Sequence, residues 1–279
     1  MRSTRMALNN WLHGGIAAFQ FLTRLPIPVQ IEYTGQVFRR SVVFYPLAGL
    51  VIGLILFFAG QGLRFMMPAM PAAVLLLGLW VFLTGGLHLD GLMDTADGIL
   101  SHRPLEQMLE IMKDSRVGAM GVIVCVLHLL LKFSLLFSML GSEQGGWKAA
   151  SFFLVMIPIW SRWFMVVAIY GWPYARRESG LGSLFHGVTK GYVALSTVGA
   201  LLVTTIAAAI GHSRLTALLG AVPAWSFVIG FFVLTFLGGY LAAVYISRKL
   251  GGLTGDTYGA LNELLEAFLL LVAVAVCIT

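Results

Sequence analysis

Charge is scarce in this chain. Of 279 residues, 11% are charged and 59% are hydrophobic, and the mean hydropathy is +0.90. A soluble core of this size has no use for that much apolar surface, so the composition predicts an all-α, polytopic, helical integral membrane protein. Sulfur chemistry is nearly excluded as well. The two cysteines, Cys125 and Cys277, both lie inside apolar runs and read as inert packing residues. GxGxxG and Walker patterns are missing, as is any Ser/His/Asp or Cys/His set at a nucleophile's spacing. Low-complexity tracts, defensible internal repeats and a soluble domain are absent too, so residues 1–279 read as a single membrane-embedded domain. The N-terminal MRSTRMALNNWLHGGIAAF has no small-residue cleavage site after its short apolar run, which argues against a cleavable signal.

Long apolar runs are what the chain has instead. They fall near 41–63, 71–89, 118–140, 149–172, 192–211, 221–246 and 256–279, each close to the roughly 20 residues that cross a bilayer as a helix. About seven transmembrane helices follow. Residues 7–22 are too short and polar to span and read as an interfacial or half-inserted helix. The segment 215–246 is long for one span, and Pro223 is a place where it breaks into a re-entrant piece. Gly49 and Gly53, four apart, predict a small-residue packing face.

The net charge of +6 does not point to nucleic acid, because the basic residues fall between apolar spans rather than on one face. Arg2, Arg5, Arg24, Arg39, Arg40, Arg103, Lys113, Arg116, Arg176, Arg177, Lys190, Arg248 and Lys249 occupy alternate segments. The intervening loops hold only Arg64, Lys148 and Arg214. The positive-inside rule places the first set in the cytoplasm.

Half of the twelve acidic residues sit in one stretch, GGLHLDGLMDTADGILSHRPLEQMLEIMKDSRVGAMG, which starts at Gly85. Asp90, Asp94 and Asp97 stand at i, i+4 and i+7, on one side of a helix. Glu106, Glu110 and Asp114 repeat the pattern at i, i+4 and i+8 in a second helix, with Ser101 as its N-cap and Pro104 in its first turn. Like charges at i, i+4 cost a helix about 0.2–0.5 kcal/mol per pair. A cation offsets that cost, and Mg²⁺ suits carboxylate oxygens and a shared substrate phosphate. Gly91 and Gly98 leave room for close approach, and Arg103, Lys113 and Arg116 lie in the same stretch. The bland alternative is a solvated acidic face.

Other residues carry two readings each. Arg24, in FLTRLPIP, is either a membrane-edge anchor or a phosphate contact. His88 ligates metal or relays a proton, or is a hydrogen-bonded interfacial residue. Lys132 and Arg162 lie inside predicted spans, where charge costs about 2.5–3.5 kcal/mol. Lys132 snorkels or pairs across a helix interface. Arg162 reads as a contact for an anionic substrate or one of the acids, against a purely structural ion pair. The loop WPYARRESGLGSLFHG brings Arg176, Arg177, the backbone of residues 180–183 and His186 together as a phosphate cradle, or simply obeys the positive-inside rule. Asp256, Asn262, Glu263 and Glu266 form a third polar patch at the mouth of the last span, with Asp256 and Glu263 on one helical face. These features fit a magnesium-dependent transfer on a diphosphate. They leave open the CDP-alcohol phosphotransferase and prenyltransferase types and, in another class, an ion-coupled transporter with carboxylate cation sites.

The motifs GGLHLDGLMDTADGIL, LEIMKDSRVGAMG, FLTRLPIP, the SRW at 161–163, ARRESGLG and GGLTGDTYGALNE resemble the cobalamin synthase family, the membrane-bound adenosylcobinamide-GDP ribazoletransferases. They run in order from Phe21 to Glu266. The resemblance implies that adenosylcobinamide-GDP and α-ribazole, or its 5′-phosphate, yield adenosylcobalamin, or its phosphate, and GMP. It implies Mg²⁺, the bacterial inner membrane with the site facing the cytoplasm, and other corrinoid-pathway enzymes as neighbours. On that chemistry Asp90, Asp94, Asp97 and Asp114 are the expected metal ligands. Asp97, Asp114, Lys113 and Arg116 are the expected catalytic groups, with Asp114 or Asp97 as base. Arg24, His88, Arg103, Glu110, Arg162, Arg176, Arg177, Asp256, Asn262 and Glu263 are expected to bind substrate. DGLMDTAD lacks the arginine that a CDP-alcohol motif needs, and the cluster around Asp256 is thin for a prenyltransferase.

Overall fold

A computed structural model describes residues 2–142, 144–176, 181–211 and 223–277. Eleven α-helices run through them in chain order: α1 Arg2–Leu22, α2 Gly35–Ser41, α3 Tyr45–Met66, α4 Ala69–Thr84, α5 Leu87–Leu100, α6 Leu105–Ile111, α7 Ala119–Gly141, α8 Gln144–Gly171, α9 Lys190–Ile210, α10 Ala224–Leu250 and α11 Gly255–Cys277. No strand occurs among the described residues, and one isolated bridge joins Tyr174 to Leu253. Six helical stretches are long and apolar enough to cross a membrane. A seventh is the pair α4 and α5, which bends by 88° between them. Among the described residues there are thus six continuous candidate spans, and seven, the expected number, when the bent pair is counted as one. α1 is helical, and it is not among the candidate spans.

α8 is the axis of the bundle. Its span is 89% buried, against 28% for α7 and 22% for α9, so the outer helices wrap it and offer their own apolar faces outward. α3 lies along α8 because Gly49 and Gly53 have no side chain to hold the two backbones apart. A Cβ at Gly49 would collide with the Pro158 carbonyl, and one at Gly53 with Val155. Without water to expel between helices, this close van der Waals fit supplies the attraction. Pro158 also removes the N–H that would bond the Leu154 carbonyl, beside which Gly53 packs.

Residues 212–222, which include the part of the long segment before Pro223, lie outside the described residues, and Pro223 itself stands at a helix start. It is the N-cap of α10, which continues without interruption to Leu250 and ends at Gly251 with φ 68°. The second acidic stripe also differs from expectation. Ser101 is the C-cap of α5, where its Oγ donates to the Gly98 carbonyl at 2.6 Å. Pro104 is the N-cap of α6, and α6 stops at Ile111. Asp114 therefore lies beyond the helix and out of line with Glu106 and Glu110.

Candidate active site

The break between α4 and α5 positions the site. Gly85 and Gly86 both hold positive φ, 63° and 72°, where a side chain would be strained. Their amides close the end of α4 on the Phe82 and Val81 carbonyls, at 3.0 and 3.1 Å. The Arg24 side chain lies against Gly85, where a Cβ would run into it, and the Arg24 amide donates to the Leu83 carbonyl at 2.8 Å. FLTRLPIP is thus a strap that pins the turn.

α5 then packs on the start of α11 through glycines on both sides. Gly91 rests on the Asp256 backbone and Gly259 on that of His88. This contact brings Asp90 and Asp94 opposite Asp256. Asp94 is repelled by Asp90, Asp256 and Asp97 and attracted by Arg176. Arg176 Nη2 donates to Asp256 Oδ2 at 2.7 Å and to the Met112 carbonyl at 3.3 Å, while its Nε has no partner. Backbone bonds hold Arg176 there, from Ala175 to the Leu253 carbonyl at 2.8 Å and from Leu253 to the Pro173 carbonyl at 2.9 Å. A cavity of about 130 Å³ opens among His88, Asp90, Arg176, Asp256, Tyr45, Tyr174 and Tyr258. Two of these tyrosines, Tyr45 and Tyr258, are buried; Tyr174 and Tyr258 fall inside stretches singled out in the sequence, yet nothing there pointed to their rings.

Asp97 has a different task. Its Oδ2 accepts from the Gly118 amide at 2.8 Å and its Oδ1 from the Gly121 amide at 2.7 Å. Gly118 is the N-cap of α7 and offers no capping side chain of its own, so α5 supplies the cap from outside. A Cβ on either glycine would overlap this carboxylate. Asp90, Asp94 and Asp97 share a stripe, yet seven residues at about 1.5 Å each separate Asp90 and Asp97 by about 10 Å along the axis. One end of the stripe meets α11 and the other meets α7. The expected trio is therefore not a metal cage, and among the described residues no three His, Cys, Asp or Glu side chains are grouped to hold a metal ion.

The remaining acidic-stretch residues stay at the surface. Arg103, Glu106, Glu110, Lys113, Asp114 and Arg116 are all exposed and none lines the cavity. Arg116 grips Asp114 through Nε at 3.0 Å and Nη2 at 2.6 Å. That grip, together with the Arg116 amide, pulls the Asp114 carboxyl down to about 2. The expected roles of Asp114 as metal ligand and of Asp114, Lys113 and Arg116 as catalytic groups have no geometry behind them. Arg24 is exposed and borders an open hollow with Gly85, Gly86 and Asp90. Arg177 lies outside the described residues.

Deeper in the bundle the polar patch of α11 divides. Asp256 stands at its mouth. Asn262, Glu263 and Glu266 lie about two to three turns further in, at 3.6 residues per turn, and are buried. Glu266 accepts from Arg162 Nη1 at 2.7 Å and Lys132 Nζ at 2.7 Å. Glu263 accepts from Lys132 at 2.9 Å and pairs with His128 Nε2 at 2.8 Å. Lys132 Nζ also lies 4.2 Å from the centre of the Trp80 ring. Two acids thus meet two bases, so the group is held without net charge where charge is expensive. This corrects two expectations. Arg162 and Glu263 each belong to an ion pair in the bundle core, and neither lines the cavity. Two lone charges in predicted spans, Lys132 and Arg162, signalled that partners existed, but not which.

A sequence profile described as cobalamin-5-phosphate synthase matches residues 14–274 of the chain. The chain is similar to the adenosylcobinamide-GDP ribazoletransferase of Desulfitobacterium hafniense, with 41% identity over 91% of this chain and 93% of that protein. The enzyme of the same description from Desulforamulus reducens is 41% identical over 91% and 92%. That from Brevibacillus brevis is 38% identical over 96% and 98%. No solved structure matches.

Proposed function

The chain belongs to the cobalamin-5-phosphate synthase family, and from that membership we propose the chemistry of its site. It is a transferase of cobalamin biosynthesis embedded in a membrane. The reaction joins the adenosylcobinamide-phosphate moiety of adenosylcobinamide-GDP to α-ribazole, or its 5′-phosphate, and releases GMP. The arrangement that carries the reading is the cavity lined by Asp90, Asp256 and Arg176, with Asp94 one turn along α5 in the field of all three.

The transfer is of the phosphoryl type, where positioning and neutralisation of charge make up most of the catalysis. Mg²⁺ usually takes only one or two carboxylates and completes its shell with water and substrate phosphates. Asp90 and Asp94, adjacent on one helix and crowded by Asp256, suit that limited role better than an all-protein cage. When bound, the ion would neutralise the diphosphate and favour departure of GMP. Arg176 offers the diphosphate its free Nε while its other end stays fixed to Asp256 and Met112. Asp97 and Asp114 are committed elsewhere, which leaves Asp94 and Asp256 as the carboxylates to take the proton from the attacking hydroxyl of α-ribazole. The cavity of about 130 Å³ has room for phosphate groups, while the corrinoid ring lies outside it. The basic residues around this end support a site on the cytoplasmic side of the bacterial inner membrane.

The test is product analysis of the purified protein given adenosylcobinamide-GDP, α-ribazole and Mg²⁺, with and without a chelator. Cobalamin and GMP in equal amounts, lost on chelation and restored by Mg²⁺, are expected. Turnover that a chelator leaves untouched would remove the metal from the reading.

A further inference from the structure

Asn262 makes two contacts through a single atom. Its Nδ2 lies 3.2 Å from Glu266 Oε1 and 3.1 Å from His88 Nδ1. Glu266 is held by Lys132 and Arg162, each at 2.7 Å, so it is ionised and only accepts hydrogen bonds. The Asn262 atom that faces it must be the amide nitrogen. That nitrogen meets His88 Nδ1 as a donor too, and Nδ1 is therefore the bare acceptor. A neutral imidazole then carries its hydrogen on Nε2. His88 is 1% exposed and is faced by Arg162 and Lys132 as well as by Glu263 and Glu266. Its Nε2 has no partner among the described residues, although buried donors are nearly always satisfied. His88 is also one of the residues that line the cavity, with Asp90, Arg176 and Asp256.

We propose that His88 is a catalytic residue of the transfer, a neutral imidazole fixed by Asn262 in the Nε2–H form that donates a hydrogen bond to a phosphate oxygen of the substrate. The inference rests on the transfer reaction proposed above and adds a residue to it. The hydrogen stays on the nitrogen and no proton moves. A general base and a metal ligand both require a bare nitrogen facing the site, so His88 is neither. Asn262 is a positioning residue, and Glu266 behind it sets which way the amide points. The ion pairs of Lys132 and Arg162 thereby gain a use beyond packing, because they keep Glu266 an acceptor.

Three variants of the full chain separate the roles. Gln places its amide nitrogen where Nε2 stood, Asn places one where Nδ1 stood, and Leu places none. His88→Gln is expected to keep kcat within about tenfold of the wild type. His88→Asn and His88→Leu are expected to lose about 10²–10³-fold in kcat, the usual cost of one donor to developing charge, with a smaller change in KM for adenosylcobinamide-GDP. If His88→Gln were as inactive as His88→Leu, or His88→Leu as active as the wild type, the proposal would be overturned. A measurement on the unmodified protein stands beside these. Ring ¹⁵N resonances of His88 should show Nε2 protonated and Nδ1 bare, with Asn262→Ala releasing that preference. The opposite tautomer in the wild type would overturn the proposal whatever the kinetics. A wild type that forms no cobalamin would instead defeat the transfer reading, and with it the catalytic role, while the tautomer would still be judged by its resonances.

Discussion

Asp97 Oδ2 accepts the backbone amide hydrogen of Gly118 at 2.8 Å, and so an acid of α5 caps the helix whose N-cap lies 21 residues later. The bond ties the turn from α5 through α6 to α7 and holds the acidic stretch in shape. Asp97→Ala should therefore lower stability by about 1–2 kcal/mol, the range of a lost cap. Gly121→Ala should have a similar effect, because its methyl group would displace the carboxylate. Unfolding of both variants in detergent checks this. The Mg²⁺ concentration needed for half-maximal residual activity should not change, and a large increase would return Asp97 to the metal site.

Asp90 and Asp94 should behave in the opposite way. Asp90→Asn and Asp94→Asn relieve the repulsion among Asp90, Asp94 and Asp256, so the melting temperature should hold or rise. Turnover should fall about 10²–10³-fold, the scale on which a site loses a group that stabilises transition-state charge. Wild-type turnover by either variant in purified form would leave the proposed ion without its ligand.

Lys132 lies between Glu263 and Glu266 with 2% of its side chain exposed. Lys132→Met takes the shared cation from two buried carboxylates, leaving Glu263 to His128 and Glu266 to Arg162, and should cost about 3–5 kcal/mol, as breaking a buried pair does. The double variant Lys132→Met with Glu266→Gln should recover part of that loss. Arg162→Ala should likewise act on stability first. Thermal unfolding of the single and double variants measures the coupling, and simple additivity would mean that the ion pairs carry none.

Asp114 and Arg116 form an exposed pair of the kind that contributes little. Asp114→Asn should leave turnover within about twofold, and its stability change should fall in the small range typical of surface pairs. The carboxyl is held at about 2, below its ordinary 3.8, by the Arg116 hydrogen bonds. A depressed folded value stabilises the protein above the ordinary value and loses that contribution as pH falls from about 3.8 through about 2. A carboxyl titration followed by NMR should place the midpoint near the lower figure, and Arg116→Gln should move it up toward the ordinary one.

The helical membrane architecture was legible from the chain alone, because the length and apolarity of a spanning helix are local properties. The small-residue face of Gly49 and Gly53, the importance of the Gly85–Gly121 stretch and the presence of partners for Lys132 and Arg162 were legible for the same reason. Each follows from what a backbone or a charge must do in lipid, wherever its neighbour comes from. The α4–α5 bend at Gly85 was not foreseen, since a double glycine permits a turn without setting its angle.

Helical spacing put Asp90, Asp94 and Asp97 on one stripe and could say nothing of what faces each turn of it. Only the packed bundle sets α11 against Asp90 and α7 against Asp97, and only there does Glu266 decide how the Asn262 amide turns toward His88. An acid's role depends on the donor or cation that meets it, and those arrive here from residues up to 135 positions away. Periodicity reaches one helix at a time, whereas hydrogen bonds and ion pairs are settled between helices.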